Sequence, residues 1–260
     1  MDILAEICKA AKEAGEIILN ASNIMVATKQ KGSNSNLVTK YDQEVQIFLE
    51  KRLHEVLPEA AFMGEENHED RFREEYGKGF LFIIDPIDGT SNFIFGYRPS
   101  VTSIALFQDG VPYMGVIYNP YSDEMYSAIK GKGAWKNGES IHTSSLPLSK
   151  SLVSMGTAPY YSDEKIKKAF DTAYSYMSRC VDIRRSGTAA WDLCQIAGGA
   201  LGLYFEPVLQ LWDYAAGALI VSEAGGTITD MEGNELTFTG ASSVMAASAG
   251  VSGEDYMPQV

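Results

Sequence analysis

Cysteine is scarce in this chain: Cys8, Cys180 and Cys194 stand at wide, irregular spacing in 260 residues, an odd count that argues against a disulfide framework and for reduced thiols in a cytosol. Basic residues are also outnumbered, 21 Lys and Arg against 34 Asp and Glu, for a net charge of −13. Clustered cations hold bare nucleic acid and anionic membranes, so neither is expected as a partner. No apolar run approaches the ~20 residues that cross a bilayer. Asp2, Glu6 and Lys9 interrupt the opening, so no signal peptide is read and a cytoplasmic location is expected. His54, His68 and His142 match no metal-ligand spacing. Repeats, low-complexity tracts and long linkers are missing as well.

What is present suffices for a large core. With 45 % hydrophobic and 21 % charged residues, the chain is read as one domain over 1–260, in two tightly packed halves, 1–147 and 148–260. A phosphorylated ligand in so acidic a protein requires a local reversal of the field, which divalent cations held by some of the acids would supply.

Helical spacing of Ile3, Leu4, Ile7, Ala11, Ala14 and Ile18 predicts an amphipathic helix ending near Asn20. The polar stretch from Lys29 to Asn36 predicts a mobile hairpin tip or loop. Thr39 and Asp42 form a capping box for a second helix that runs to Pro58. Strands are expected at Ala60 to Met63 and Phe80 to Ile84, the second fully apolar and hence buried on both faces. Gln108-Asp109-Gly110 joins two strands as a tight hairpin, and Glu124 to Ile129 extends an antiparallel sheet. Beyond a polar, Pro-containing turn at Leu146 to Ser149, strands and helices alternate. Strands are read at Leu152 to Met155, Leu203 to Phe205, Thr227-Ile228 and Val244-Met245, with helices at Asp163 to Met177, Thr188 to Ala197 and from Asp213.

The sharpest motif is Asp85-Pro86-Ile87-Asp88-Gly89-Thr90, at the end of the buried strand. Two carboxylates at this spacing with no Lys or Arg close by are costly to bury unless a hard cation joins them. Pro86 restricts Asp85 to an extended conformation, and Gly89 and Thr90 open a helical turn whose free N–H groups can meet phosphate oxygens. Taken alone, the segment is also compatible with a well-made turn. Glu65 in Gly64-Glu65-Glu66 and Asp213 in Leu211-Trp212-Asp213-Tyr214 add carboxylates, although Asp213 alone also reads as a helix cap.

Together these segments resemble the inositol monophosphatase family. The match includes Trp212-Asp213 followed by Glu223-Ala224-Gly225-Gly226, and it includes Gly187-Thr188-Ala189-Ala190, Leu37 to Asp42 and Gly131 to Ala134 in the expected order. The resemblance implies a layered αβαβα fold with an antiparallel-rich α+β first half and an α/β second half. It implies Mg²⁺-dependent hydrolysis of a small phosphorylated metabolite, most simply inositol monophosphate, in a homodimer with two to three Mg²⁺ per site. Glu65, Asp85 and the Ile87 carbonyl would hold one ion; Asp85, Asp88 and Asp213 a second; a third would sit near Glu65 and the loop at Lys31. Thr90 and Glu65 would orient and deprotonate the attacking water, without a covalent phosphoenzyme. Gly89 and Thr90 would hold the phosphate, and Asp88, Gly187, Thr188, Ala189 and Glu206 the alcohol. Glu206 read by itself is equally a strand-end acid, and Arg184-Arg185 either a solvated pair or a contact for a second phosphate.

Asn92-Phe93 keeps the inositol-phosphatase-like pattern, whereas relatives acting on adenosine bisphosphates or histidinol phosphate usually carry a Lys just after the Thr, where Ser91 stands here, which disfavours those substrates; fructose 1,6-bisphosphate and NADP remain alternatives. A phosphatase class with Asp-x-Asp-Gly-Thr uses its first Asp as nucleophile, but Pro86-Ile87 makes the spacing here one residue too long. A non-catalytic metal- or phosphate-binding regulatory protein is the alternative of another class.

Overall fold

A computed structural model describes residues 2–30, 37–67 and 77–257. Helix α1 (Ile3–Leu19) starts where the Asp2 carboxylate accepts the Ala5 N–H at 3.3 Å and buries Ile7, Ala10, Ala11, Ala14 and Ile18. A two-stranded ribbon follows, β1 (Thr28–Gln30) antiparallel to β2 (Leu37–Thr39). Helix α2 (Lys40–Val56) has the expected capping box, in which Asp42 Oδ2 accepts the Thr39 N–H at 2.7 Å and Thr39 Oγ1 accepts the Tyr41 N–H at 3.0 Å.

The first sheet comprises β3 (Ala61–Gly64), β4 (Phe80–Asp88), β5 (Val101–Gln108), β6 (Val111–Asn119), β7 (Glu124–Ile129), β8 (Gly133–Lys136) and β9 (Glu139–Ile141), seven strands in chain order. Only β3 and β4 run parallel; a short helix, α3 (Thr90–Phe95), lies between β4 and β5. The second sheet, ordered β11-β10-β12-β14-β13, has five strands: β10 (Leu152–Met155), β11 (Asp182–Arg184), β12 (Leu203–Leu209), β13 (Thr227–Thr229) and β14 (Ser242–Ala247). Strand β10 is parallel to both neighbours, and β14 antiparallel to both of its own.

Side-chain alternation explains the layering. On β4, Phe82 and Ile84 pack with α1 and α2, whereas Leu81 and Ile83 pack with α5 (Ala189–Ala197) and α6 (Leu211–Glu223). Helix α6 is apolar nearly all round because it lies between both sheets; Tyr204, Val244 and Ala246 of the second sheet share its cluster. The far face, with Val153, Phe205 and Met245, packs against α4 (Asp163–Met177). The layers thus run α1/α2, first sheet, α5/α6, second sheet, α4, an αβαβα stack. Gly115 on β6 permits the contact with α6, since a Cβ there would lie 2.8 Å from the Ala216 carbonyl oxygen.

The structure differs from expectation in detail. Strand β4 continues to Asp88, because both its faces stay covered, and α6 opens at Leu211 rather than Asp213, which occupies its first turn. Strands β1, β2 and β11, three residues each, are too short to carry a period. All three cysteines are free. Among the described residues no helix is long and apolar enough to cross a membrane.

Candidate active site

Strand β4 delivers two aspartates through an irregular end. Asp85 lies opposite Ser103 and Asp88 opposite Val101, so three steps on β4 match two on β5: a bulge at Pro86 and Ile87. Pro86 has no N–H for the ladder, and its carbonyl accepts the Thr102 hydroxyl at 2.9 Å. The Ile87 N–H turns back to Asp85 Oδ1 at 3.1 Å. The extra residue re-aims the strand end, and Asp85, Ile87 and Asp88 all line one cleft of about 200 Å³. Glu65 from the turn after β3, Asp213 from α6 and Glu206 from β12 line it too.

Gly89 follows with φ +85°, and a Cβ there would stand 2.3 Å from Thr188 Oγ1, so only glycine lets α3 start against the loop before α5. The Asn92 amide fastens that junction, donating to the Pro99 carbonyl at 2.8 Å, the Ser186 carbonyl at 2.9 Å and Thr188 Oγ1 at 3.0 Å. Asp88 Oδ2 accepts the Ala190 N–H at 2.6 Å, tying the first half to the first turn of α5. Glu65 is set by α2: Gln46 Oε1 accepts the Glu66 N–H at 2.8 Å beneath Gly64.

Electrostatically the cleft is strained. Asp85 is 2 % and Asp88 9 % exposed. Burial, reinforced by Glu65, Asp88 and Asp213, holds the Asp85 carboxyl well above its ordinary range, and burial with Asp88 and Glu65 does the same to Asp213. Asp88 is pushed up to about 8, chiefly by burial, against the opposing Ala190 hydrogen bond. Among the described lining residues Arg185 is the one Lys or Arg, and it donates to the Thr157 carbonyl at 2.7 Å.

This donor set fits Mg²⁺: hard oxygen atoms of Glu65, Asp85, Asp88, Asp213 and the Ile87 carbonyl, in a cleft where acids far outnumber the single Arg185 among the described lining residues. Among the described residues no three His, Cys, Asp or Glu side chains are gathered into a ready-made cage. Mg²⁺ does not require one, since it keeps several waters and takes few protein ligands.

The expected residues therefore meet, with exceptions. Glu65, Asp85, Ile87, Asp88, Gly89, Thr90, Gly187, Ala189, Glu206 and Asp213 line the cleft. Thr188 stands behind it, buried, with its hydroxyl donating to the Pro99 carbonyl at 3.0 Å. Lys31 and His68 lie outside the described residues; His54 and His142 are exposed. Asp192 is buried and accepts the Ser186 hydroxyl at 2.7 Å, because α5 is covered on both sides.

Sequence reasoning gave Asp42 only a capping role. It is 1 % exposed, burial pushes its carboxyl up to about 6, and its free Oδ1 side meets the Thr90 hydroxyl at 3.2 Å, while that hydroxyl also reaches the Ile87 carbonyl at 3.1 Å. A carboxylate at the third position of a capping box that points at a site motif was the available signal. Nothing in the sequence signalled Tyr160 and Tyr161, which line the cleft from the loop before α4.

A carboxylate-ringed cleft on an αβαβα stack defines a class of metal-assisted phosphatases, and comparison with known proteins agrees. The sequence profile of the inositol monophosphatase family matches residues 2–260, and the chain belongs to that family. It is 36 % identical over 237 residues to inositol monophosphatase 2 of Solanum lycopersicum, spanning 89 % of this chain and 88 % of that one. It is 34 % identical over 229 residues to the Nus factor SuhB of Vibrio cholerae, spanning 86 % and 84 %. The crystal structure of extragenic suppressor protein suhB from Bartonella henselae superposes with a TM-score of 0.85 at 30 % identity, covering 96 % of this chain and 95 % of that one. Family membership supports phosphatase activity and leaves the substrate open.

Proposed function

We propose that this protein is a Mg²⁺-dependent phosphatase that hydrolyses a small hydroxyl-bearing phosphate monoester, with inositol monophosphate as its foremost substrate. One observation carries the reading: acids from both halves of the chain are gathered and buried around a single cleft, where Arg185 is the one Lys or Arg among the described lining residues. Glu65, Asp85, the Ile87 carbonyl, Asp88 and Asp213 would hold two Mg²⁺, with a third near Glu65 and the loop at Lys31. Bound Mg²⁺ would supply positive charge to the phosphate and acidify water.

The chain's own groups do the rest. The Thr90 hydroxyl, within reach of Asp42, orients the attacking water together with Glu65, which takes its proton. The Gly89 and Thr90 amides donate to phosphate oxygens. Water attacks phosphorus in line, the P–O bond to the alcohol breaks, a second water molecule protonates the departing alkoxide, and no covalent enzyme intermediate forms. Glu206, Gly187 and Ala189 receive the alcohol, while Thr188 supports their loop from behind. The halves 1–147 and 148–260 act as one unit, in the cytoplasm and as a homodimer.

The test is phosphate release from inositol 1-phosphate, fructose 1,6-bisphosphate and NADP, with Mg²⁺ and with EDTA, for wild type and Asp88→Asn. Mg²⁺-dependent turnover led by inositol 1-phosphate and lost in Asp88→Asn is expected. Faster turnover of either other compound reassigns the substrate. Mg²⁺ binding without turnover of any compound points instead to a regulatory protein, a role that the SuhB-named relative makes worth testing.

A further inference from the structure

Glu206 differs from the other cleft acids in how it is held. The residue is 8 % exposed, yet both carboxylate oxygens are engaged by phenols. The Tyr204 hydroxyl donates to Oε2 at 2.7 Å from two residues away on the same strand. The Tyr161 hydroxyl stands 3.0 Å from Oε1 and 2.5 Å from the Val208 carbonyl oxygen, so its proton bridges the carboxylate and the strand's own backbone. Behind the carboxylate is Gly156, where a Cβ would lie 1.9 Å from Oε2. Among the described residues, Asp85, Asp88 and Asp213 have no such phenol partners. A carboxylate left free beside them would swing to relieve like-charge repulsion or to reach any cation they hold.

We infer that Tyr161 and Tyr204, over Gly156, are positioning residues that fix Glu206 as an acceptor for substrate hydroxyl groups and so select polyol monophosphates over phosphate esters without hydroxyls. This inference rests on the proposed phosphatase reading. Each phenol uses one lone pair of one carboxylate oxygen, and the remaining pairs are available to hydroxyls of a ligand in the cleft. A carboxylate already ordered loses little freedom when the ligand arrives, so its contact is spent on affinity for the alcohol and not on the phosphorus chemistry at β4. Tyr160, beside Tyr161 with ring centroids 5.2 Å apart, adds an apolar surface to the same wall. Arg185 lines the cleft as a donor there.

Inositol 1-phosphate and p-nitrophenyl phosphate are the two probes, assayed with Mg²⁺ on the full chain for wild type, Tyr161→Phe, Tyr204→Phe and Gly156→Ala. Wild type is expected to turn over both. Each Tyr→Phe change should raise KM for inositol 1-phosphate about tenfold with kcat held within about twofold, leaving kcat/KM for p-nitrophenyl phosphate unchanged. Gly156→Ala, which displaces Glu206 without removing a phenol, should give the same split. Equal losses on both probes, or no change on either, overturn the inference; a thermal melt identifies any variant that is simply unfolded, and Tyr161→Phe, at the cleft edge, then decides it. No turnover of either probe by wild type sinks the phosphatase reading itself, which is a different failure.

Discussion

Two places among the described residues concentrate carboxylates, and they are handled in opposite ways. Between α1 and α2, Glu6, Glu13 and Glu55 surround Arg52, whose guanidinium nitrogens lie 2.5, 3.3 and 3.8 Å from them. The guanidinium offsets part of the negative charge and solvent screens the rest at a partly exposed surface, and hydrogen bonding to Glu6 raises the Arg52 pKa. In the cleft, Asp85, Asp88 and Asp213 are buried against one another, and their carboxyls are forced upward. The first cluster joins two helices and is complete. The second is unfavourable as it stands, and a cation of the kind proposed above would relieve it.

Breaking that contrast should have its largest effect on activity. Asp85→Asn should lower kcat by about a thousandfold or more, as expected when several kcal/mol of cation-borne stabilisation are lost. Glu13→Gln, equally a neutralised acid, should leave kcat within about twofold. Steady-state phosphate release measures both, and comparable activities would show that the two clusters do not differ in function.

A middle-sized effect should appear in thermal melts. The folded-state carboxyls of Asp42 and Asp88 lie at about 6 and about 8, above the ordinary range near 4 of an unfolded chain. Between those limits the folded protein binds more protons, so its metal-free stability is fully present below about pH 4 as far as these groups are concerned and is lost as pH rises through 6 to 8. The metal-free Tm should therefore fall from pH 5 to pH 8. Saturating Mg²⁺ should raise Tm by a few degrees at pH 8, on the order of RT ln(1 + [L]/Kd), and by less at pH 5, because binding must displace protons. A Mg²⁺ shift independent of pH, or one retained in Asp213→Asn, would contradict the assignment of these acids as ligands.

Smallest is the change at Arg52. Arg52→Ala should cost about 1 kcal/mol or less, and added salt should shrink the difference between variant and wild type, since the pairs are partly solvated. Denaturant titration at low and high salt measures it. A larger, salt-insensitive loss would mean that the aliphatic stem carries the packing instead.

Much of the architecture was legible because it is written in short-range patterns. The stripe from Ile7 to Ile18 must face a core, Thr39 and Asp42 cap α2 within three residues of each other, and a strand apolar on both faces, such as Phe80 to Ile84, must lie between layers. Asp85-Pro86-Ile87-Asp88-Gly89-Thr90 announced a strand end loaded with acid for the same reason: its chemistry and its backbone restrictions are local. Its bulge was not visible, because a bulge is a mismatch with β5 and exists only in the pairing.

What the sequence by itself determined, then, is the set of elements and the acids at their ends. The tertiary structure decided which acids share a cleft and what state each is in. Asp88 meets the Ala190 amide across 102 residues because α5 packs on the first sheet, and Glu206 meets Tyr161 across 45 because β10, which leads into the Tyr161 loop, pairs with β12. Burial and mutual repulsion, which set the protonation of Asp85, Asp88 and Asp213, depend on that packing and not on neighbours in sequence. The same separation explains why Asp42 read as a cap and Thr188 as a ligand contact. Periodicity reports the face a residue presents, and only the stacked layers determine what that face meets.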